Sequence, residues 1–285
     1  MKYNLSDKKT IEKLLSSAGF TFKKSLGQNF LTDSSVCPEM AAAAADENTG
    51  VLEIGPGIGV LTAELCEAAK KVVAIELDER LKPILAKTLA DFDNVKVIFG
   101  DAMKLNLKEI ILENFADCSE VVVCANLPYY ITSPIIMMLL ESKLPIKSIT
   151  VMVQKEAAER LCAEIPSREV GAVTLSVAYF AKAEILFEVG RESFTPAPNV
   201  DSAVIKLSIT ETPPVSVKNE KAFFSLIRAA FTHRRKTFVN SVSAFGICGK
   251  ERILNALNEL GIKPEVRAEE LSLSQFAKIS DLVKD

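Results

Sequence analysis

Short apolar runs recur along the first half of the chain at residues 51–54, 72–75, 95–99, 121–124 and 149–153, bounded by turn-forming residues such as Gly55, Asn94 and Gly100. Runs of four or five residues without polar alternation read as strands buried on both faces. The segments between them, 61–69, 79–89, 107–115 and 134–140, have the apolar spacing of helices, and the alanines at 41–45 suit a helix as well. Strand alternating with helix predicts an α/β fold built on a parallel, doubly wound sheet.

The pattern changes after Gly171. Residues 172–180 and 203–209 are rich in β-formers with no helix between them, which predicts a hairpin-like addition at the sheet edge. Beyond Pro213-Pro214 the spacing becomes helical over 221–230, 250–260 and 274–283, punctuated by Gly246, Gly249 and Gly261. The expected division is residues 1–212 as the larger domain and 213–285 as a small helical one.

Charge is unevenly spread over these parts. The whole chain is mildly acidic, with a net charge of −3 and 34 Lys/Arg against 37 Asp/Glu. Residues 217–285 nevertheless carry 12 Lys/Arg against 8 Asp/Glu, and residues 1–26 hold Lys2, Lys8, Lys9, Lys13, Lys23 and Lys24. A site for a polyanion must therefore be local. The Lys-rich N-terminal arm has little to bury and is expected to order only when a cofactor or RNA arrives.

Six cysteines stand far apart without a C-x-x-C pair and read as reduced structural thiols. His233 is the only histidine, so no zinc site is expected, and a Ser-His-Asp or Cys-His hydrolase would have to use that one residue. No apolar run approaches the ~18 residues of a membrane span and no signal region opens the chain, so a cytoplasmic protein without a membrane partner is expected.

The first strand runs into Glu53-Ile54-Gly55-Pro56-Gly57-Ile58-Gly59, ahead of a helix. Glycines in that context let backbone N–H groups approach a ligand closely. The spacing is G-x-G-x-G, with Val60 where a dinucleotide turn continues to its third glycine. Glu53 would repel a phosphate and suits an ammonium instead, so the charge points to S-adenosylmethionine. Glu76 ends the second strand, placed to accept from ribose hydroxyls, and Asp101 follows the third, placed to accept from an adenine amino group. Each acid alone reads as a loop residue or helix cap. Together with the glycine turn they predict a Rossmann-like class I S-adenosylmethionine-dependent methyltransferase sheet with a small C-terminal helical domain.

Asn126-Leu127-Pro128-Tyr129 follows the fourth strand. The exocyclic amine of adenine or cytosine is a poor nucleophile because its lone pair is delocalised into the ring. The Asn126 side-chain carbonyl, with a backbone carbonyl from Leu127 or Pro128, would accept both N–H bonds and favour a pyramidal nitrogen. Tyr129 offers a ring for a base that has left its own stack. Phe194, in a rigid loop containing Pro196 and Pro198, is equally suited to covering the other face of the base and to anchoring the loop.

Taken together, the stretches 24–31, 51–62, 74–78, 100–102, 126–134, 153–157, 194–207 and 231–237 resemble the small-subunit ribosomal RNA adenine dimethyltransferase family of KsgA type, in family order over nearly the whole chain. The resemblance implies two methyl transfers to N6 of each of two adjacent adenosines in the 3′-terminal hairpin of small-subunit (16S) ribosomal RNA. It places that reaction on a late assembly particle and implies a monomer without a metal. It extends the cofactor site to Asn29 and Leu31, carries the acid roles to Glu76 and Asp101 and the asparagine role to Asn126, and pairs Tyr129 with Phe194 around the base.

Three alternatives stay open. The large-subunit adenine methyltransferases of the macrolide-resistance type share the fold but tend to have N-I-P-Y, whereas this chain has Leu127, Leu26-Gly27 and the Phe-x-Pro-x-Pro loop. A non-catalytic RNA-binding assembly factor would not need Asn126 and Tyr129 intact. A nicotinamide-dependent oxidoreductase is opposed by Val60 and Glu53. The cluster His233-Arg234-Arg235-Lys236, with Arg228 before it, reads equally as a phosphate-contacting patch or as cations complementing a helix dipole. The resemblance tilts it toward RNA, together with Lys23 and Lys24.

Overall fold

The computed structural model describes Tyr3, Leu5, residues 7–17 and residues 30–283. The expected RNA contacts Lys23 and Lys24 and the expected cofactor residue Asn29 therefore lie outside the described residues. The chain divides into two compact units, one of Met1–Ala158 with Glu184–Ile209, the other of Glu159–Ala183 with Thr210–Asp285. The expected division at 212/213 differs from this over 159–183, which pack with the second unit.

Among the described residues of the first unit, a seven-stranded sheet runs in the order β4-β3-β2-β5-β6-β9-β7. Its strands are β2 (Thr49–Ile54), β3 (Lys71–Glu76), β4 (Val95–Phe99), β5 (Glu120–Asn126), β6 (Ser148–Gln154), β7 (Ala181–Val189) and β9 (Ser202–Ile209). β2 pairs in parallel with both β3 and β5, β3 with β4 and β5 with β6, whereas β9 lies antiparallel to β6. The five expected strands are present, but β4, at the sheet edge, has no fully buried residue, so it is not covered on both faces as expected. All residues of β2 are buried, Thr49 and Glu53 included. Between the strands come α3 (Val60–Ala68), α4 (Lys82–Thr88), α5 (Leu107–Asn114), α6 (Thr132–Glu141) and α7 (Lys155–Leu161). Because β2 continues to β3 on one side and neighbours β5 on the other, the strand order reverses there, and a crevice opens at the strand carboxyl ends.

The N-terminal arm departs from expectation. Residues Lys8–Ser17 form helix α1, capped by Asp7, whose carboxylate accepts from the Thr10 N–H at 2.9 Å and the Thr10 hydroxyl at 2.8 Å. Ile11 and Leu15 of this helix are buried with Ile58, Leu81 and Ile84. The i, i+4 spacing places both on one face of the helix. Helix α2 (Val36–Ala44) covers the expected alanine run, preceded by the short strand β1 (Phe30–Leu31), which pairs with β8 (Phe194–Thr195).

The second unit corrects another expectation: residues Ala172–Phe180 are not a strand but helix α8. Val173, Leu175, Val177 and Tyr179 alternate as in a strand, yet the helix buries Thr174, Leu175, Ser176, Val177 and Tyr179, so almost no polar face marks its period. The Thr174 hydroxyl accepts from the Gly171 N–H and donates to the Arg160 carbonyl, closing the helix start. Tertiary packing then overrides β-propensity: Tyr179 lies 5.3 Å from Phe223 and 5.2 Å from Phe224 between ring centres. Helices α9 (Glu220–Phe231), α11 (Lys250–Glu259) and α12 (Leu273–Val283) match the expected helical segments, while α10 (Phe238–Phe245) was not anticipated. They bury Phe223, Phe238 and Phe276 in one core. Phe223→Ala is expected to lower stability by about 3–5 kcal/mol, read from the urea unfolding midpoint.

Candidate active site

The carboxyl ends of β2, β3, β4 and β5 open onto a single cavity of about 370 Å³, of the size small-molecule sites have. Glu53, Gly55, Gly57, Glu76, Asp101, Asn126, Leu127, Pro128, Tyr129, Leu31 and Phe194 all line it. Positions spread over more than 160 residues of sequence are thus brought to one place.

The glycine turn is built differently from the expected cradle of free N–H groups. The Gly55 N–H donates to the Ile75 carbonyl at 2.9 Å, the Gly57 N–H to Glu76 Oε2 at 3.0 Å and the Gly59 N–H to the Pro56 carbonyl at 2.9 Å. None of the three is left for a phosphate. The glycines serve close approach instead: Gly55 and Gly57 have φ of 74° and 60°, and a Cβ at either would meet nothing within 4 Å. They leave a ligand-sized space that any side chain would occupy.

Glu76 is buried and spends both carboxylate oxygens on backbone, with Oε1 accepting from the Asp78 N–H at 2.8 Å. Burial raises its pKa and those bonds hold it back. Glu53 has less support. It is 1% exposed, and among the described residues no donor reaches its Oε2. Burial pushes its carboxyl up to about 8, and the Glu76 charge adds to the effect. Glu53 lines the cavity, and a buried carboxylate short of one donor suits a cationic neighbour brought by a ligand. Asp101 accepts from the Met103 N–H at 3.0 Å and pairs with Lys104 at 3.2 Å, so its loop position is fixed by local bonds.

At the far end, Asn126 closes β5 and is partly exposed, and among the described residues its side-chain amide has no hydrogen bond. Of the two carbonyls considered beside it, that of Pro128 already accepts from the Ile131 N–H at 3.1 Å and the Thr132 hydroxyl at 3.2 Å. No described donor reaches the Leu127 carbonyl. Tyr129 is fixed at its tip, its hydroxyl 2.7 Å from Oγ of Ser202 at the start of β9. Phe194 is 5% exposed and packs with Leu31 and Cys37 while facing the cavity. It meets the geometry of loop anchor and cavity wall together.

The family model for ribosomal RNA adenine dimethylase matches residues 19–285. The chain belongs to the ribosomal RNA adenine dimethylase family. It is 48% identical over 277 residues to a protein of Bacillus pumilus named ribosomal RNA small subunit methyltransferase A, covering 96% of this chain and 95% of that one. It is 45% identical over 285 residues to the protein of that name from Streptococcus thermophilus, covering 99% and 98%. Among solved structures, a dimethyladenosine transferase from Plasmodium falciparum superposes with a TM-score of 0.70 at 29% identity, covering 87% of this chain and 95% of that one. The 23S ribosomal RNA methyltransferase ErmE superposes with a TM-score of 0.67 at 25% identity, covering 90% and 100%.

In this dimethylase the cavity also takes residues that sequence reasoning passed over. Leu77 and Met103, exposed apolar side chains, follow Glu76 and Asp101 closely, and Ser202 lies behind Tyr129. The first two carry a legible signal, a large apolar residue within two positions of a strand-end acid. Ser202 carries none. In the second unit, Arg228, Arg234, Arg235 and Lys236 are all exposed, and Arg234 donates to the Arg168 carbonyl at 2.8 Å. Among the described residues no group of three or more His, Cys, Asp or Glu is placed to hold a metal, and no helix is long and apolar enough to cross a membrane.

Two outcomes follow from the site's bonding. Between pH 4.5, the ordinary Glu value, and about 8, the folded chain keeps a Glu53 proton that the unfolded chain has released. Stability from this group therefore falls as pH rises through that window. Glu53→Gln is expected to remove the fall, so that its melting temperature gains on the parent between about pH 5 and pH 8. Tyr129→Phe and Ser202→Ala are each expected to cost about 1 kcal/mol, and the double variant little more than either, because both remove one bond. Urea denaturation of the four proteins reads that coupling.

Proposed function

We propose that this enzyme transfers methyl groups from S-adenosylmethionine to N6 of two adjacent adenosines in the 3′-terminal hairpin of small-subunit (16S) ribosomal RNA, with an assembling small subunit as its substrate. The observation that carries the reading is that one cavity joins an acid-lined glycine cradle to the Asn126–Tyr129 loop. Full-length relatives at 45–48% identity, named ribosomal RNA small subunit methyltransferase A, support the choice of subunit.

The donor set fits the cofactor. S-adenosylmethionine supplies, when bound, a methyl group activated by a positive sulfonium. Glu53 Oε2 would accept from its ammonium, and Gly55 and Gly57 would let it lie against the backbone. The lone pairs of Glu76 not taken by Gly57 and Asp78 would accept from ribose hydroxyls, and Asp101 from the adenine amino group. Leu31, Leu77 and Met103 give this end its apolar walls, and the family resemblance adds a cofactor role for Asn29. With the N–H groups of Gly55, Gly57 and Gly59 spent internally, those three are not available to a nicotinamide dinucleotide's pyrophosphate.

At the other end, the Asn126 side-chain carbonyl and the Leu127 backbone carbonyl accept the two N–H bonds of the target amine. That turns its lone pair toward the methyl group, and catalysis rests on position rather than on a strong base. Tyr129, held by Ser202, stacks on the flipped base, with Phe194 walling its other side. Arg228, Arg234, Arg235 and Lys236, with Lys23 and Lys24, contact phosphates. The likeness to ErmE favours large-subunit RNA as the second reading.

Methyl-labelled S-adenosylmethionine incubated with small subunits lacking the two dimethyladenosines is expected to yield labelled dimethyladenosine, with none on unmethylated large subunits. Label on large subunits alone would move the assignment to that substrate. Asn126→Ala is expected to lose activity by about a hundredfold or more while cofactor still raises its melting temperature. Near-normal turnover by that variant would overturn the amine-orienting role.

A further inference from the structure

The Asn126–Tyr129 loop continues into a second tyrosine whose surroundings are the reverse of the first. Tyr129 is partly buried and tied to Ser202. Tyr130 lines the same cavity but is 57% exposed, and among the described residues its hydroxyl has no hydrogen bond and its ring no aromatic or cationic neighbour. Folding makes little use of this ring. The backbone around it is nevertheless held, because the Pro128 carbonyl accepts from both the Ile131 N–H and the Thr132 hydroxyl, one and two residues past Tyr130. Two other large apolar side chains are exposed on this cavity, and both follow cofactor-end acids: Leu77 comes after Glu76 and Met103 two positions after Asp101. Tyr130 instead adjoins the residue that meets the base.

We propose that Tyr130 is a second stacking platform, which takes the base adjoining the flipped adenine in the RNA strand. The inference rests on the function proposed above. Flipping one nucleotide leaves the face of its neighbour unstacked, and an aromatic ring on a fixed loop covers that face whatever the base. Tyr129 and Tyr130 would then divide the work, one ring inside the cavity for the reacting base and one at its mouth for the next. For a substrate of two adjacent adenosines, the platform holds whichever of the pair is outside the cavity.

The test uses the full-length enzyme and small subunits reassembled with rRNA whose 3′ end carries a ligated synthetic segment. Tyr130→Ala is expected to raise the KM for these subunits about tenfold with kcat nearly unchanged, and Tyr130→Phe to restore the parent KM, since stacking needs only the ring. An abasic residue beside the target adenosine is expected to raise the parent's KM by a similar factor and to leave Tyr130→Ala no worse. A Tyr130→Phe as impaired as Tyr130→Ala would overturn the proposal, as would losses that multiply or a weakened cofactor-induced melting shift in Tyr130→Ala. A parent enzyme that labels no adenosine in intact subunits would fell the proposed function itself. Normal parent activity with an indifferent Tyr130 would fell this inference alone.

Discussion

Glu76 closes the turn that opens the cofactor site, and it does so from another strand. A carboxylate buried at the end of β3 would cost several kcal/mol if left unpaired. Its oxygens instead take the N–H groups of Gly57 and Asp78, so the acid and two loops hold one another in place. The glycine turn cannot relax outward without stranding that charge, and Glu76 cannot swing out without freeing a buried N–H. The cavity's floor therefore exists before any ligand enters it.

Glu53 shows what the same burial costs when one carboxylate oxygen lacks a protein donor. One strand away from Glu76, it keeps an oxygen without a partner, and its carboxyl titrates near 8. The folded protein carries an unfavourable group there, and under the proposed function a cationic ligand would relieve it.

The two ends of the cavity use rigidity differently. At the cofactor end, side chains are bound to backbone and present their remaining lone pairs. At the base end, Asn126 and the Leu127 carbonyl stay without described partners, while the turn around them is closed by Pro128, Ile131 and Thr132. A weakly nucleophilic amine needs acceptors at fixed positions, and acceptors already engaged could not orient it. The Leu127 carbonyl, without a described donor beside the engaged one of Pro128, fits the proposed amine-orienting role.

Much of this was legible in the chain itself. Parallel strands covered on both faces are mostly apolar, so the apolar runs within β2, β3, β5 and β6 stand out, and the acids and Asn126 at the strand ends mark the crevice. The family resemblance named the chemistry from motifs spread over nearly the whole length. Helix α8 was misread because its burial on nearly all sides erased the helical period, leaving an alternation that looked like a strand. Helix α1 was passed over because its charge drew attention from Ile11 and Leu15. The bonds from Glu76 to Gly57 and from Tyr129 to Ser202 join residues 19 and 73 positions apart, and local pattern carries no record of such pairings. Periodicity reports which face of a segment is buried. Which atoms then meet is decided by the order in which strands enter the sheet, and that order exists only in the folded chain.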